Sequence, residues 1–287
     1  MQHYPEAALY VVATPIGNLS DISLRALHVL QLVQAIACED TRHTQTMLRQ
    51  YGIDNKPLLA VHEHNEAQAA LLVIERLQRG ERVAYVSDAG TPAVSDPGAR
   101  LVAAVRAAGL TILPLPGASS VTTALSVAGI SGDAGFVFAG FLPSKAAERD
   151  QAVLALQADK RAVVILEAPH RIEALARAMA PLGARVITVG RELTKQFEEI
   201  ASVAAQDFSA WLAAGSQRTR GEFALVLHPG EQAQARDDGS RVLQLLLAEL
   251  PLKTAVKLAA DITGAPRNEL YEAALALKKT DASDDAD

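Results

Sequence analysis

The sequence has 287 residues, enough for two domains of ordinary size, and its 49% hydrophobic and 21% charged residues exclude a disordered chain. The formal charge is −6, but four Asp lie within 281–287 and the remainder carries 27 basic against 29 acidic residues, so net charge neither supports nor excludes a nucleic-acid partner. A single cysteine, Cys38, rules out an intrachain disulfide, no apolar run reaches membrane-spanning length, and no basic-then-apolar leader opens the chain, so a cytoplasmic enzyme is the expectation.

In chain order, residues 9–13 read as a buried strand, followed by a breaker-rich loop over 14–21 and a helix with Leu24, Leu27 and Leu30 at helical spacing. Residues 35–38 form a second short strand ending in the polar cluster Glu39-Asp-Thr-Arg-His-Thr44, and a helix then runs to Tyr51. A third strand over 58–61 ends at His62-Glu-His-Asn65, and a long amphipathic helix follows over 66–78, with Gly80 as its stop. The apolar run 83–86 leads into Ser87-Asp-Ala-Gly-Thr-Pro-Ala-Val-Ser-Asp-Pro-Gly98. At twelve residues this loop exceeds the ~2–6 of an ordinary strand-to-helix connection. Its Gly and Pro residues give it a defined path. A helix over 99–108, a strand over 111–115 and Pro116-Gly-Ala-Ser-Ser120 at a helix start complete a strand–loop–helix repeat, which means a mostly parallel sheet.

Residues 129–135, rich in Gly and polar residues, mark the expected boundary between domains over 1–130 and 131–230. The second α/β run has strands at 136–139, 162–166, 185–189 and 223–227, with helices over 146–156 and after Arg171. A polar linker follows over 229–239, then helices across 240–280 that break at Thr263-Gly-Ala-Pro266, a helix-turn-helix pattern or a plain helical hairpin. The acidic residues 281–287 read as a solvated, disordered tail.

No G-x-G-x-x-G follows the first strand, and no P-loop, G-x-S-x-G elbow or H-E-x-x-H is present. His62-Glu63-His64 has no evident third ligand, so no metal is expected. Polar, breaker-rich loops instead end strand after strand. Parallel strands bring such loops to one rim, where open α/β sheets place their sites.

The motifs Thr14-Pro-Ile-Gly-Asn-Leu19, Glu39-Asp-Thr-Arg-His43, Ser87-Asp-Ala-Gly-Thr-Pro92, Asp96-Pro-Gly98 and Leu115-Pro-Gly117 occur in that order. They continue with Gly140-Phe-Leu-Pro143, His170-Arg171, Arg191-Glu-Leu-Thr-Lys195 and Gly221-Glu222. Over residues 9–277 this ordered set resembles the ribosomal-RNA-modifying branch of the tetrapyrrole methylase fold family. Leu250-Pro-Leu-Lys253 and Asn268-Glu-Leu-Tyr271 resemble that branch's C-terminal segment and favour the helix-turn-helix reading. Two positions depart from its pattern: Ala13, where Pro is frequent, and Ala168-Pro169, where Ser-Thr is expected.

The resemblance implies two α/β domains that clasp S-adenosylmethionine, a homodimer, and methylation of the ribose 2′-hydroxyl of a cytidine in the decoding region of 16S ribosomal RNA. By matching motifs it implies cofactor contacts at Pro15, Ile16, Thr91, Val94, Ser119, Ser120, Glu167, Glu222 and Ala224. Asp88, Asp96 and Lys195 are the leading candidates for proton transfer, with Glu39 and His43 behind them. Arg42, His43, Lys145, Arg171 and Arg191 are expected to contact RNA phosphates. A methylase of a tetrapyrrole or other small molecule, and a non-catalytic nucleotide- or RNA-binding module, are the alternatives.

Overall fold

The structure is a computed structural model and describes residues 3–62, 65–130, 135–157, 159–230 and 240–284. Its contacts divide the chain into two compact units, Met1–Pro229 and Gly230–Asp287.

The first half of the first unit alternates strand and helix: β1 (Ala8–Val12), α1 (Leu24–Leu32), β2 (Ala35–Cys38), α2 (Thr41–Gln50), β3 (Leu58–Ala60), α3 (Glu66–Gln78), β4 (Val83–Val86), α4 (Ala99–Ala107), β5 (Thr111–Leu115) and α5 (Ser120–Val127). The strands form one parallel sheet in the order β3-β2-β4-β1-β5. Every residue of β2 and β4 is buried, as expected of parallel strands covered on both faces. Ala26, Val29 and Leu30 of α1 and Met47 and Leu48 of α2 cover one face. Ala69, Val73 and Leu77 of α3 and Leu101 and Val105 of α4 cover the other.

The second half adds β6 (Phe136–Phe141), α6 (Ala146–Gln157), β7 (Ala162–Glu167), α7 (Ile172–Met179), β8 (Val186–Arg191), β9 (Glu199–Ala204), α8 (Phe208–Ala213) and β10 (Phe223–Leu227). The strand order is β6-β7-β10-β8-β9. Only β6 and β7 run parallel; β10 is antiparallel to both its neighbours, as β9 is to β8. β9 and α8 are absent from the sequence reading. β9 is an edge strand with no fully buried residue, and α8 has six residues, so neither carries an apolar run long enough to read. Both sheets belong to the first unit, and residues 131–134 of the expected boundary lie outside the described residues.

The second unit holds α9 (Ser240–Glu249), α10 (Leu252–Thr263) and α11 (Arg267–Asp284). Leu243, Ala255, Val256, Ala259, Leu270 and Ala274 form its core. Gly264 ends α10 with φ +72°, and its N–H donates to the Ala260 carbonyl, a left-handed cap that turns the chain into α11. The break therefore falls within the expected Thr263–Pro266 stretch. Helix α11 extends to Asp284, past the expected start of the acidic tail, and residues 285–287 lie outside the described residues, as do 231–239 of the linker.

Candidate active site

β4, β1 and β5 are neighbours in the first sheet, so the loops that leave their carboxyl ends meet. Thr14 and Gly90 exchange both backbone hydrogen bonds, at 2.9 and 3.1 Å. Thr14 Oγ1 donates to the Ser87 carbonyl and Thr91 Oγ1 to the Ala118 carbonyl. The loop 87–98 holds four left-handed residues, Gly90, Ala93, Ser95 and Gly98. Left-handed backbone at Ala93 and Ser95 costs of order 1–3 kcal/mol each and persists only where surroundings impose it. Its far end is clamped. Glu66, buried at the start of α3, accepts the N–H groups of Gly98, Arg100 and Leu101 at 2.8–3.1 Å and so caps α4 from outside. The Tyr85 hydroxyl donates to the Pro97 carbonyl at 2.6 Å, and its ring lies where a Gly98 Cβ would be, 2.1 Å away.

The second sheet supplies the opposite wall. Because β10 is antiparallel to β7 and β8, Phe223 at its start is paired with Glu167 and Arg191 at their ends. A register shift before Gly140, whose φ is +64°, places Phe141 on the same rim. Loops from the two sheets also touch: the Lys195 stem lies against Gly17, where a Cβ would be 2.4 Å from its Cγ. Lys195 Nζ is 2.9 Å from Glu192 Oε1 and 3.0 Å from Glu222 Oε2.

Between these walls lies a cavity of about 310 Å³. Its lining includes three carboxylates, Asp96, Glu167 and Glu222, and no Lys, Arg or His. Small residues, Ala89, Gly90, Gly190 and Ala224, bring backbone close to the space, and Ser119, Ser120 and Val121 present the start of α5, which no side chain caps. Glu167 is 2% exposed. Its Oε1 accepts the Ala168 N–H at 2.9 Å and lies 3.0 Å from Arg171 Nε, while its buried Oε2 has no partner. Burial, countered by the nearby Ser87 hydroxyl and supported by the Asp88 charge, raises the Asp96 carboxyl to about 6. Burial, with the Asp88 and Asp96 charges, also raises Glu39.

Of the residues expected at the cofactor, all but Pro15 line this cavity. Asp96 lines it as well, whereas Asp88 is not among the lining residues and its Oδ1 accepts the Asp40 N–H at 3.1 Å. Lys195 is engaged by two glutamates, which leaves its amine protonated and unfit to take a proton. Two residues expected to hold RNA phosphates have internal roles instead. Arg191 is 7% exposed, lies 3.2 Å from Glu199 and donates to the Arg220 and Phe197 carbonyls, so its side chain is turned into the fold at the end of its strand. Arg171 is bound to Glu167 and to the Leu142 carbonyl. Arg42 and His43 are exposed in the first turn of α2, above the Asp40 cap, and Lys145 is exposed beside Glu148 at 3.0 Å. Phe141 and Leu193 line the cavity without having been singled out, since apolar residues in or just after a strand end read as core, whereas Phe223 lies between the expected Glu222 and Ala224. Among the described residues no group of His, Cys, Asp or Glu is placed to hold a metal, and Glu63 and His64 lie outside them. No described helix is long and apolar enough to cross a membrane.

Residues 8–208 match the family model of tetrapyrrole (corrin/porphyrin) methylases, and residues 233–278 match that of the RsmI C-terminal HTH domain. The chain is similar to a protein of Escherichia coli O157:H7 named ribosomal RNA small subunit methyltransferase I, 46% identical over 275 residues that cover 94% of this chain and 95% of that one. The Pseudomonas aeruginosa protein of the same name is 48% identical, with 93% and 96% covered. Among solved structures, diphthine synthase aligns with a TM-score of 0.58 at 15% identity over 77% of this chain and 90% of that one. A cobalt precorrin-4 methyltransferase of cobalamin biosynthesis aligns at 0.56 and 15%, over 77% and 94%. These two share the fold. On the family models and the full-length relatives together, the chain belongs to the tetrapyrrole methylase family and, within it, to the ribosomal RNA small subunit methyltransferase I group.

Proposed function

We propose that the protein transfers a methyl group from S-adenosylmethionine to small-subunit ribosomal RNA, at the ribose 2′-hydroxyl of a cytidine in the decoding region. One observation carries the cofactor assignment: a cavity with three carboxylates, no basic side chain and an orphaned buried oxygen on Glu167. Such a lining disfavours phosphate groups and suits a ligand bearing a sulfonium, an ammonium and hydroxyl donors. Glu167 Oε2 would accept from one of those donors, since a buried acceptor without a partner costs ~1–3 kcal/mol. The uncapped N–H groups at the start of α5 would receive the ligand's carboxylate. Thr91, Val94 and Ile16 would hold one side and Ala224 and Glu222 the other.

When bound, the cofactor supplies an electrophilic methyl group on a sulfonium that leaves as a neutral thioether. The residues of the two walls then have to hold the incoming hydroxyl in line, ~3–3.5 Å from that methyl. The stitched loops 14–21, 87–98 and 116–120 provide the rigid wall this requires. The exposed Arg42, His43 and Lys145, together with the helix-turn-helix unit, would contact the RNA. The protein would act in the cytoplasm, and as a homodimer that covers part of the apolar surface a single chain exposes, including Leu71, Leu72 and Phe136.

The test is incubation of the protein with methyl-labelled S-adenosylmethionine and small ribosomal subunits lacking the mark, followed by mapping of the labelled nucleotide. Label on a ribose of 16S RNA supports the reading. No label in RNA refutes it, and label in a tetrapyrrole supplied alongside would replace it with small-molecule methylation.

A further inference from the structure

The cavity holds three carboxylates, and two are already engaged by cations. Glu222 Oε2 lies 3.0 Å from Lys195 Nζ, and Glu167 Oε1 lies 3.0 Å from Arg171 Nε. Asp96 is different: the charged group that bears on it is another carboxylate, Asp88. Its backbone is held from both sides, by left-handed Ser95 before it and by the Tyr85 hydroxyl on the Pro97 carbonyl after it. The next N–H, that of Gly98, is fixed by Glu66. The side chain therefore stands at one place on the cavity wall, beside Thr91 and Val94.

We propose that Asp96 accepts the proton of the attacking ribose hydroxyl, with Ser87 and Asp88 as residues that position and tune it. This rests on the methyl-transfer reading above. The oxygen–carbon bond forms as the sulfur–carbon bond breaks, the electron pair of that bond leaves with the neutral thioether, and the hydroxyl proton passes to an Asp96 oxygen and then to solvent. The groups facing Asp96 are Ser87, whose hydroxyl donates to the Ala89 carbonyl and whose dipole favours the ionised carboxylate, Asp88 on the same loop, and Glu39 and Tyr85, whose own acidities it weakens. Burial outweighs the influence of the Ser87 hydroxyl and lifts its carboxyl to about 6, so it is ionised at neutral pH yet basic enough to take a proton. The unpartnered oxygen of Glu167 in the same cavity is an independent sign that a ligand with donors belongs there.

The experiment is single-turnover methylation of unmarked small subunits by the full-length protein between pH 5 and 9, with cofactor affinity measured separately by calorimetry. Asp96→Asn is expected to lower the rate by ~10²–10⁴-fold while leaving the cofactor dissociation constant within about threefold. The wild-type rate should rise with pH and level off above a midpoint near the value of about 6 held by Asp96. Ser87→Ala should move that midpoint up and Asp88→Asn down. In the protein without cofactor, carbon NMR of the Asp96 carboxyl should follow the same shifts. Label transfer by Asp96→Asn within tenfold of wild type, a rate loss matched by lost cofactor affinity, or a midpoint unmoved by both neighbouring substitutions overturns the assignment alone. Failure of the wild type to label RNA overturns the methyl-transfer reading, and the assignment with it.

Discussion

Glu66 lies far from any sequence motif of the site, yet it determines whether the 87–98 loop can hold its shape. Helix α4 begins at Ala99 behind a glycine, which has no side chain to cap it, and the Glu66 carboxylate takes three of its first N–H groups. The bonds to Gly98 and Leu101 are buried and that to Arg100 is partly so. Replacing Glu66 by Ala leaves two buried donors without acceptors at ~1–3 kcal/mol each, less the cost of burying the carboxylate, for a net loss of about 2–4 kcal/mol. Glu66→Gln keeps an acceptor oxygen and loses chiefly the charge at the helix start, about 1 kcal/mol. The first unit should therefore melt on the order of 5–10 °C lower in the Ala variant and a few degrees lower in the Gln variant. Because Thr91 and Val94 sit on the released loop, cofactor affinity should fall in the same order. Denaturant unfolding and calorimetric titration of all three proteins provide the comparison. An Ala variant that loses less than about 0.5 kcal/mol, or one that loses stability with cofactor affinity intact, would refute the claim that this cap braces the site.

Gly98→Ala should cost more than about 3 kcal/mol, because its φ is +117° and its Cβ would overlap the buried Tyr85 ring. Gly109→Ala has a similar backbone demand in open space and should cost only ~1–2 kcal/mol; equal losses in denaturant melts would exclude the steric explanation. Arg191→Ala should destabilise the first unit by about 2–4 kcal/mol without changing the salt dependence of RNA binding, since its guanidinium is spent on Glu199 and two carbonyls. Arg42→Ala should leave stability unchanged and lower the salt slope by about 1; the reverse pattern in melts and binding titrations would return Arg191 to the RNA interface. Asp96 has a raised folded-state pKa, so it destabilises the fold when ionised, and that cost disappears as pH falls from its folded value of about 6 towards its unfolded 3.8. Asp96→Asn should accordingly be more stable than wild type by up to about 2 kcal/mol at pH 8 and about equal to it at pH 4. Equal stability at both values would show that the carboxylate is not buried against its neighbours.

The first sheet was legible because each of its strands is a short apolar run bounded by breakers, and β2, β4 and β5 fall at the expected residues. The parallel direction followed from the helices between strands. The second sheet misled that logic. Its hairpin partner β9 alternates half-buried and exposed positions at an edge, so its signal is weak, and the antiparallel placement of β10 has no local signature. Glu222 and Ala224 precede and start a strand, where the rim argument from parallel strands would not put a site. They reach the cavity because β10 runs against its neighbours.

Local chemistry alone accounts for the alternation of elements, the shaped loop at 87–98, the Gly264 turn and the absence of a phosphate-binding glycine fingerprint. These depend on residues a few positions apart, whose conformational limits hold in any fold. The division of labour among charged residues depended on packing. Asp88 and Asp96 belong to the same loop, yet one serves a backbone N–H and the other faces the cavity. Arg42 and Arg191 look alike in the sequence, yet one is exposed and the other is enclosed by Glu199 and two carbonyls. A charged side chain takes its role from the burial and partners it meets, and those partners come from segments tens of residues away, brought together only by the folded chain.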